Sequence, residues 1–419
     1  MNKWYRLDNA AKVFPSVSGR KRSNIFRLSI TLKEEVDPAI LQTALEVTIN
    51  RFPSFKVKLK RGFFWFYFEE NLETPKVMPE TPKICQNLNF RDQQKYLFRL
   101  TYYHHRISLE MFHALTDGSG ALEFLKAIVY KYLLLMGKSV KPENVILTDI
   151  ETRNEESQDS FIQNYSTKIK AIRKEKKALK LKGTRYQQDW ITVVNGSCNI
   201  DKLKEVSKHY GMTITEFIST CLNLAASKSI NIFEDKNRPF QLFIPVNMRR
   251  FFPSKTLRNF SLYIRTSLFL KDNMTFEEVG AIVKQDFANQ LQKESLHQLL
   301  MANVKIEKNI VMRLVPLFLK EILLKIGYKA WGDSPNSICY SNLGICDLPK
   351  SMDEHIEEVI FTNGATYTTP INIGSISYGN KMVFSVASSM LERNIQRDFF
   401  RLLAEFGLDV TVETNELEV

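Results

Sequence analysis

Cysteine is scarce and scattered. The five present, Cys85, Cys198, Cys221, Cys339 and Cys346, are odd in number and far apart, so they offer neither a disulfide framework nor a repeated close pair of metal-ligand spacing. Isolated thiols of this kind are expected to be buried, reduced and inert. Glycine (16) and proline (14) are few in 419 residues, which excludes a collagenous or linker-dominated chain. No apolar run is long enough to cross a bilayer: the most apolar stretch, Ile310 to Ile326, is broken by Arg313, Pro316, Lys320, Glu321 and Lys325. The opening Met-Asn-Lys-Trp-Tyr-Arg-Leu-Asp lacks the apolar centre of a signal peptide, so a cytoplasmic protein is expected.

Several chemical signatures are missing as well. There is no Gly-x-Gly-x-x-Gly after a strand, no Gly-x-x-x-x-Gly-Lys phosphate loop, no His-Glu-x-x-His and no Gly-x-Ser-x-Gly. Nicotinamide enzymes, nucleotide hydrolases, zincins and serine esterases therefore have no support. What is present is a chain 44% hydrophobic, with 29 Phe, 15 Tyr and 4 Trp. A disordered chain would not carry them, and this length suits two hydrophobic cores better than one. The net charge of +12 favours anionic partners without choosing among phosphates, acidic proteins, nucleic acid and anionic lipid. No short basic domain stands apart, so nucleic acid is not expected as a partner.

Two halves are expected, residues 1–165 and 190–419, joined by a polar, basic crossover over 166–189 that overlaps a polar segment from about Glu151 to Lys182, read as a solvated connection or exposed helix rather than an interaction tail. They echo each other. Asn24 to Leu32 alternates as a strand and is followed by Asp37-Pro38, a cap and first-turn proline for a helix through Leu41, Ala44, Leu45 and Ile49. Trp190 to Val194 reads as a strand, Asn199 or Asp201 as the cap of a helix with Leu203 and Val206, and Thr213 to Glu216 as a capping box opening another helix. Further strands are expected at Arg61–Phe68, Leu97–Tyr103, Arg106–Phe112, Gln241–Pro245, Phe260–Leu268 and Lys381–Ser388, with His104-His105 as a hairpin turn. Without a regular βαβ rhythm, the fold class is α/β with mixed sheets in α+β style.

One constellation carries chemistry: His113-Ala-Leu-Thr-Asp117-Gly118-Ser-Gly120. It follows the strand Arg106–Phe112 and precedes a helix with Leu122, Leu125, Ile128, Val129, Tyr132 and Leu133 on one stripe. Asp117, Gly118 and Gly120 would let the chain turn sharply into that helix. Residue frequencies give roughly 0.01 chance matches to His-x-x-x-Asp-Gly in such a chain. The plain alternative is a partly buried histidine beside an aspartate helix cap.

The segment Arg106 to Gly118 resembles the His-x-x-x-Asp-Gly core of the chloramphenicol-acetyltransferase-like superfamily, which includes condensation domains, plant acyltransferases and polyketide-associated acyltransferases. Leu7-Asp8-Asn9-Ala10 and Tyr340-Ser341-Asn342-Leu343-Gly344 resemble its bacterial alcohol-acetyltransferase branch. Asn50 to Lys56, Pro245 to Arg250 and Asn259-Phe260-Ser261 are similar to further condensation-domain motifs. Phe112 stands where condensation domains carry a second histidine, and the plant Asp-Phe-Gly-Trp-Gly motif is missing.

The resemblance implies two such domains facing each other across a central channel, with His113 midway. It implies acyl transfer from a thioester, on acyl-CoA or on the phosphopantetheine of a carrier protein, to a small alcohol or, alternatively, an amine. No bound cofactor or metal is required, and a monomer is expected. A neutral imidazole, the side chain whose reference pKa is about 6.5, can accept the acceptor's proton, and His113 is expected to be the general base. Asp117 is expected to pair with a basic side chain and hold the loop, Lys56 being the first candidate partner and Arg51 the second. Gly118 either donates its N–H to the oxyanion or is simply a turn glycine. Asn247, Arg249, Ser261, Ser341 and Asn342 are weaker candidates for the substrate channel. Lys255 and Arg258 could meet phosphates or form a solvated loop. Two rival readings remain: a binding protein without turnover on the same fold, and a basic protein adsorbed to a membrane through Val311 to Tyr328. A buried interdomain helix is the simpler account of that last stripe.

Overall fold

Most strands form where β-branched and aromatic residues alternate between turn signals, and they gather into two main sheets. The computed structural model describes residues 3–19, 21–88, 95–148, 152–187, 190–229, 233–234 and 237–415. Glu151, residues 188–189 of the expected crossover and residues 416–419 lie outside these. Among the described residues, a five-stranded sheet runs in the order Ile356–Asn363, Ile25–Leu32, Arg106–Phe112, Phe98–Tyr103, Val77–Pro79. A seven-stranded sheet runs in the order Ser261–Leu268, Phe240–Asn247, Ile338–Ile345, Ile371–Tyr378, Lys381–Ser388, Thr192–Asn199, Thr411–Thr414. Both mix parallel and antiparallel pairs, as expected of the mixed α/β class.

Each sheet has its own apolar core. The first is packed by helices Pro38–Thr48 and Gly118–Leu135, and the second by Ile214–Lys228, Phe276–Gln290 and Asn394–Glu405. The capping signals act as the sequence implies: Asp37 accepts from Ala39 and Ile40, Asn199 caps Ile200–His209, and Thr213 forms a full capping box with Glu216. The result is two lobes. They touch through the strand Ile356–Asn363, which is late in the chain yet forms an edge of the first sheet. There the Thr362 and Ser385 hydroxyls are bonded at 2.8 Å, and a Cβ on Gly374 would stand 2.2 Å from the Phe361 carbonyl oxygen. Only glycine permits that approach.

Several expectations are corrected. Arg61–Phe68 is not one strand but a hairpin, Val57–Arg61 and Phe66–Glu70, closed by the Gly62 N–H donating to the Trp65 carbonyl. The second-lobe strand begins at Thr192, not Trp190, and continues to Asn199. The polar crossover is a bound strap: Ala178 and Leu179 are buried, and Glu175 forms an ion pair with Arg265. The apolar residues between Val311 and Tyr328 are largely exposed, not buried between domains. Neither Gly118 nor Gly120 adopts a positive φ, so glycine is not needed there for a sharp turn. At Gly120 it is needed for contact, because a Cβ would lie 2.1 Å from the carbonyl oxygen of Leu257, a residue of the second half of the chain that packs into the first core. The five cysteines are buried free thiols, and burial pushes Cys198 and Cys339 up to about 12.

Gly120→Ala should therefore force the segment around Leu257 away from the helix Gly118–Leu135. A destabilisation of about 1–3 kcal/mol is expected, the usual cost of overpacking, read as a lowered denaturation midpoint. An unchanged midpoint would show that the contact yields without cost.

Candidate active site

The strand Arg106–Phe112 ends against its neighbour, and the His113 N–H donates to the Asn24 carbonyl at 2.9 Å. The chain then turns into the helix Gly118–Leu135, capped by Asp117, whose Oδ1 accepts from the Gly120 N–H at 3.2 Å. This places the imidazole at the strand end, half-buried, between two aromatic walls. Phe14 stacks on it at 4.7 Å between ring centroids, and Phe26 meets it edge-on at 5.2 Å.

The ring is oriented from the other lobe. Its Nδ1 lies 3.0 Å from Oδ1 of Asn259. The Asn259 Nδ2 donates to the carboxylate of Asp8 at 3.3 Å, which turns the amide oxygen toward the histidine. An amide oxygen can only accept, so the hydrogen of the neutral ring sits on Nδ1 and the lone pair on Nε2. Asp8 is fully buried. Burial pushes its carboxyl up, while the Arg258 guanidinium, the Ala11 N–H and the Asn259 amide pull it down.

Asp117 does not meet Lys56 or Arg51. Its Oδ2 accepts from Arg249 Nη1 and from the Phe260 N–H, both at 2.8 Å. Arg249 also holds the Thr256 carbonyl at 2.9 and 3.1 Å and the Arg258 carbonyl at 2.6 Å. A planar fork can serve these acceptors together, and a lysine ammonium cannot. Lys56 instead donates to Asn50 at 2.9 Å, and Arg51 forms a two-pronged pair with Glu156 at 2.8 Å. Arg249 thus belongs behind the site rather than in the channel.

Two cavities meet at the histidine. One, of about 330 Å3, is lined by His113, Asp117, Gly118, Asn247, Ser261, Ser341 and Asn342 together with Thr213, Thr215 and Arg250. The other, of about 310 Å3, runs from His113, Phe14 and Asn259 past Ser261 to Tyr263, Tyr328 and Trp331. Five of the weaker or uncertain candidates, Gly118, Asn247, Ser261, Ser341 and Asn342, are thereby gathered in one space. Asn247 also donates to Ser119 at 3.1 Å, and Asn342 to Thr215 at 3.2 Å. The Gly118 N–H is at the first turn of its helix, where backbone donors have no intrahelical acceptor. A Cβ there would meet only the Leu343 side chain, at 2.6 Å. Lys255 and Arg258 line neither cavity: Lys255 faces Glu155 at 3.2 Å, and Arg258 is used by Asp8 and by the Arg6 and Ser157 carbonyls. Among the described residues no group of His, Cys, Asp or Glu is arranged to hold a metal ion.

Sequence reasoning did not single out Asn259 or Asp8 as site residues. Their signals were the Asn259-Phe260-Ser261 and Leu7-Asp8-Asn9-Ala10 segments, but no spacing rule joins positions 251 residues apart.

No family model matches the sequence, and no curated protein matches it either. Solved structures do. The trichothecene 15-O-acetyltransferase TRI3 of Fusarium sporotrichioides superposes with a TM-score of 0.62 at 12% identity, over 96% of this chain and 94% of that one. TRI101 of F. graminearum, solved with coenzyme A and deoxynivalenol, gives 0.62 at 11% identity over 99% of this chain and 100% of that one. The first condensation domain of the CDA synthetase gives 0.56 at 11% identity over 97% of both chains. The chain therefore has the two-lobed fold of chloramphenicol-acetyltransferase-like and condensation-domain proteins over nearly its whole length.

Arg249→Ala should destabilise the protein by about 3–5 kcal/mol, because it leaves the Asp117 carboxylate buried and unpaired. Lys56→Ala should stay within about 0.5 kcal/mol of the parent. Denaturant unfolding of both variants separates the two candidate partners, and equal effects would contradict the assignment.

Proposed function

We propose that this protein is an acyltransferase that moves an acyl group from a thioester donor to the hydroxyl of an alcohol, with His113 as general base. The observation that carries this reading is the His113 ring between two cavities, its Nδ1 held by Asn259 and its Nε2 left as the basic atom. One cavity admits the donor and the other the acceptor. The acceptor O–H gives its proton to Nε2 while its oxygen bonds to the thioester carbonyl carbon. The oxyanion that forms is met by the Gly118 N–H at the positive end of its helix, with Ser341 and Asn342 lining the same space. Collapse breaks the C–S bond, and the leaving thiolate takes the proton back from the imidazolium. The chain supplies position and proton transfer; the thioester supplies the activation.

The donor is read as acyl-CoA or a carrier-bound phosphopantetheine thioester. TRI101 was solved with coenzyme A, and TRI3 is described as an O-acetyltransferase. The alcohol-acetyltransferase branch is favoured by Leu7-Asp8-Asn9-Ala10 and Tyr340-Ser341-Asn342-Leu343-Gly344. Asp117 and Arg249 act as positioning residues.

Purified protein incubated with a panel of acyl-CoAs and candidate alcohols and amines should release free thiol in an acceptor-dependent manner. His113→Ala should lower kcat by at least about 10²–10⁴-fold with an unchanged melting curve. Thiol release that survives this substitution at full rate would refute the assignment of the base, and preference for amines would refute the acceptor class.

A further inference from the structure

The helix Leu317–Tyr328 is turned inside out. Leu317 and Lys320 face the protein and are buried, while Phe318, Leu319, Ile322, Leu323 and Ile326 face outward. The preceding short helix Ile310–Leu314 has no buried residue, and both Ile310 and Val311 are 71% exposed. Beside them stands the hairpin tip with Phe63, 70% exposed, whose carbonyl accepts from the Leu317 N–H at 2.8 Å. Contiguous exposed apolar surface of this kind marks an interaction site.

The polar side of the segment anchors it. The Lys320 ammonium donates to the Phe64 carbonyl at 2.8 Å and lies 3.7 Å from the centroid of the Trp65 ring, and burial pulls its pKa down to about 8. Every acid between Lys305 and Asp333 is already used by a base elsewhere in the chain: Glu307 by Lys12, Glu321 by Arg61 and Asp333 by Arg22. By contrast Lys305, Lys308, Arg313, Lys325 and Lys329 are exposed, and none forms a salt bridge among the described residues. Among the described residues the apolar face thus has a cationic rim, and the acids of the segment are already paired with other bases.

We infer that this segment docks the protein on the surface of an anionic lipid bilayer. Large aliphatic and aromatic side chains enter the boundary of the acyl chains, and the flanking lysines and Arg313 meet the headgroups. The helix has 12 residues and follows Pro316, too short to span, so it lies along the surface. A second copy of the chain is the poorer occupant, since a two-fold interface would set the same cations against each other. Tyr328 and Trp331, at the end of the segment, also line one cavity at His113. If the acyl-transfer reading holds, docking brings that cavity's mouth to the bilayer and favours a lipophilic substrate; the docking itself does not depend on it.

Flotation of the full chain with phosphatidylcholine vesicles, with and without phosphatidylserine, tests this. Binding is expected to the anionic vesicles and to weaken at high salt. The exposed double substitution Phe318→Ser with Ile322→Ser should weaken it at least about tenfold without lowering the melting temperature. Lys325→Glu with Lys329→Glu should weaken it while leaving the apolar face intact. His113→Ala should float like the parent, which separates docking from catalysis. Absence from anionic vesicles, undiminished binding by the double serine variant, or light scattering that shows a dimer dissolved by those serines would each overturn the inference.

Discussion

The carboxylate of Asp117 ties one lobe to the other. Its Oδ1 caps the helix that follows the histidine, and its Oδ2 reaches Arg249 and the Phe260 N–H. Phe260 is the neighbour of Asn259, so the bond that docks the lobes also sets the amide that orients His113. A charged group with so little solvent is tolerable only because each of its oxygens is bonded. The apparatus of the site is therefore one connected lattice: Asp117 to Arg249, Arg249 to the loop carbonyls of Thr256 and Arg258, and Arg258 back to Asp8, which holds Asn259.

Such an arrangement explains why the aspartate of a His-x-x-x-Asp motif need not touch the ring. Its bonds join two separately packed cores, and two cavities meet the imidazole at that junction. Gly120 and Gly374 serve the same end by allowing close backbone approach, to Leu257 and to Phe361. The chemistry proposed here asks little else of the protein, since a thioester arrives already activated. The outward-facing apolar helix Leu317–Tyr328 lies outside this apparatus, although its last residue, Tyr328, lines one of the two cavities.

Much of the local structure is written in short-range signals. The caps at Asp37, Asn199, Asp117 and Thr213, the hairpin turn at His104 and the strands on either side of it follow from residue types a few positions apart. The hairpin between Arg61 and Phe66 was hidden because an aromatic run reads as continuous strand, whereas the Gly62–Trp65 closure depends on a backbone bond. The orientation of the helix Leu317–Tyr328 was hidden for a different reason. Periodicity gives an apolar stripe, but nothing in it says whether the stripe or the opposite face, with Lys320, turns inward.

His113, its strand-to-helix setting and the mixed α/β class could be read from residue order alone, because each rests on neighbours within a turn or a strand. The partner of Asp117 could not. Lys56, Arg51 and Arg249 all carry the charge, and only folding decides which lies within 2.8 Å. The same holds for Asn259 and Asp8, which are far apart in the chain and meet at the ring through a bond across the lobes. Pairing over such separations is fixed by how two cores pack, and packing is a property of the whole chain.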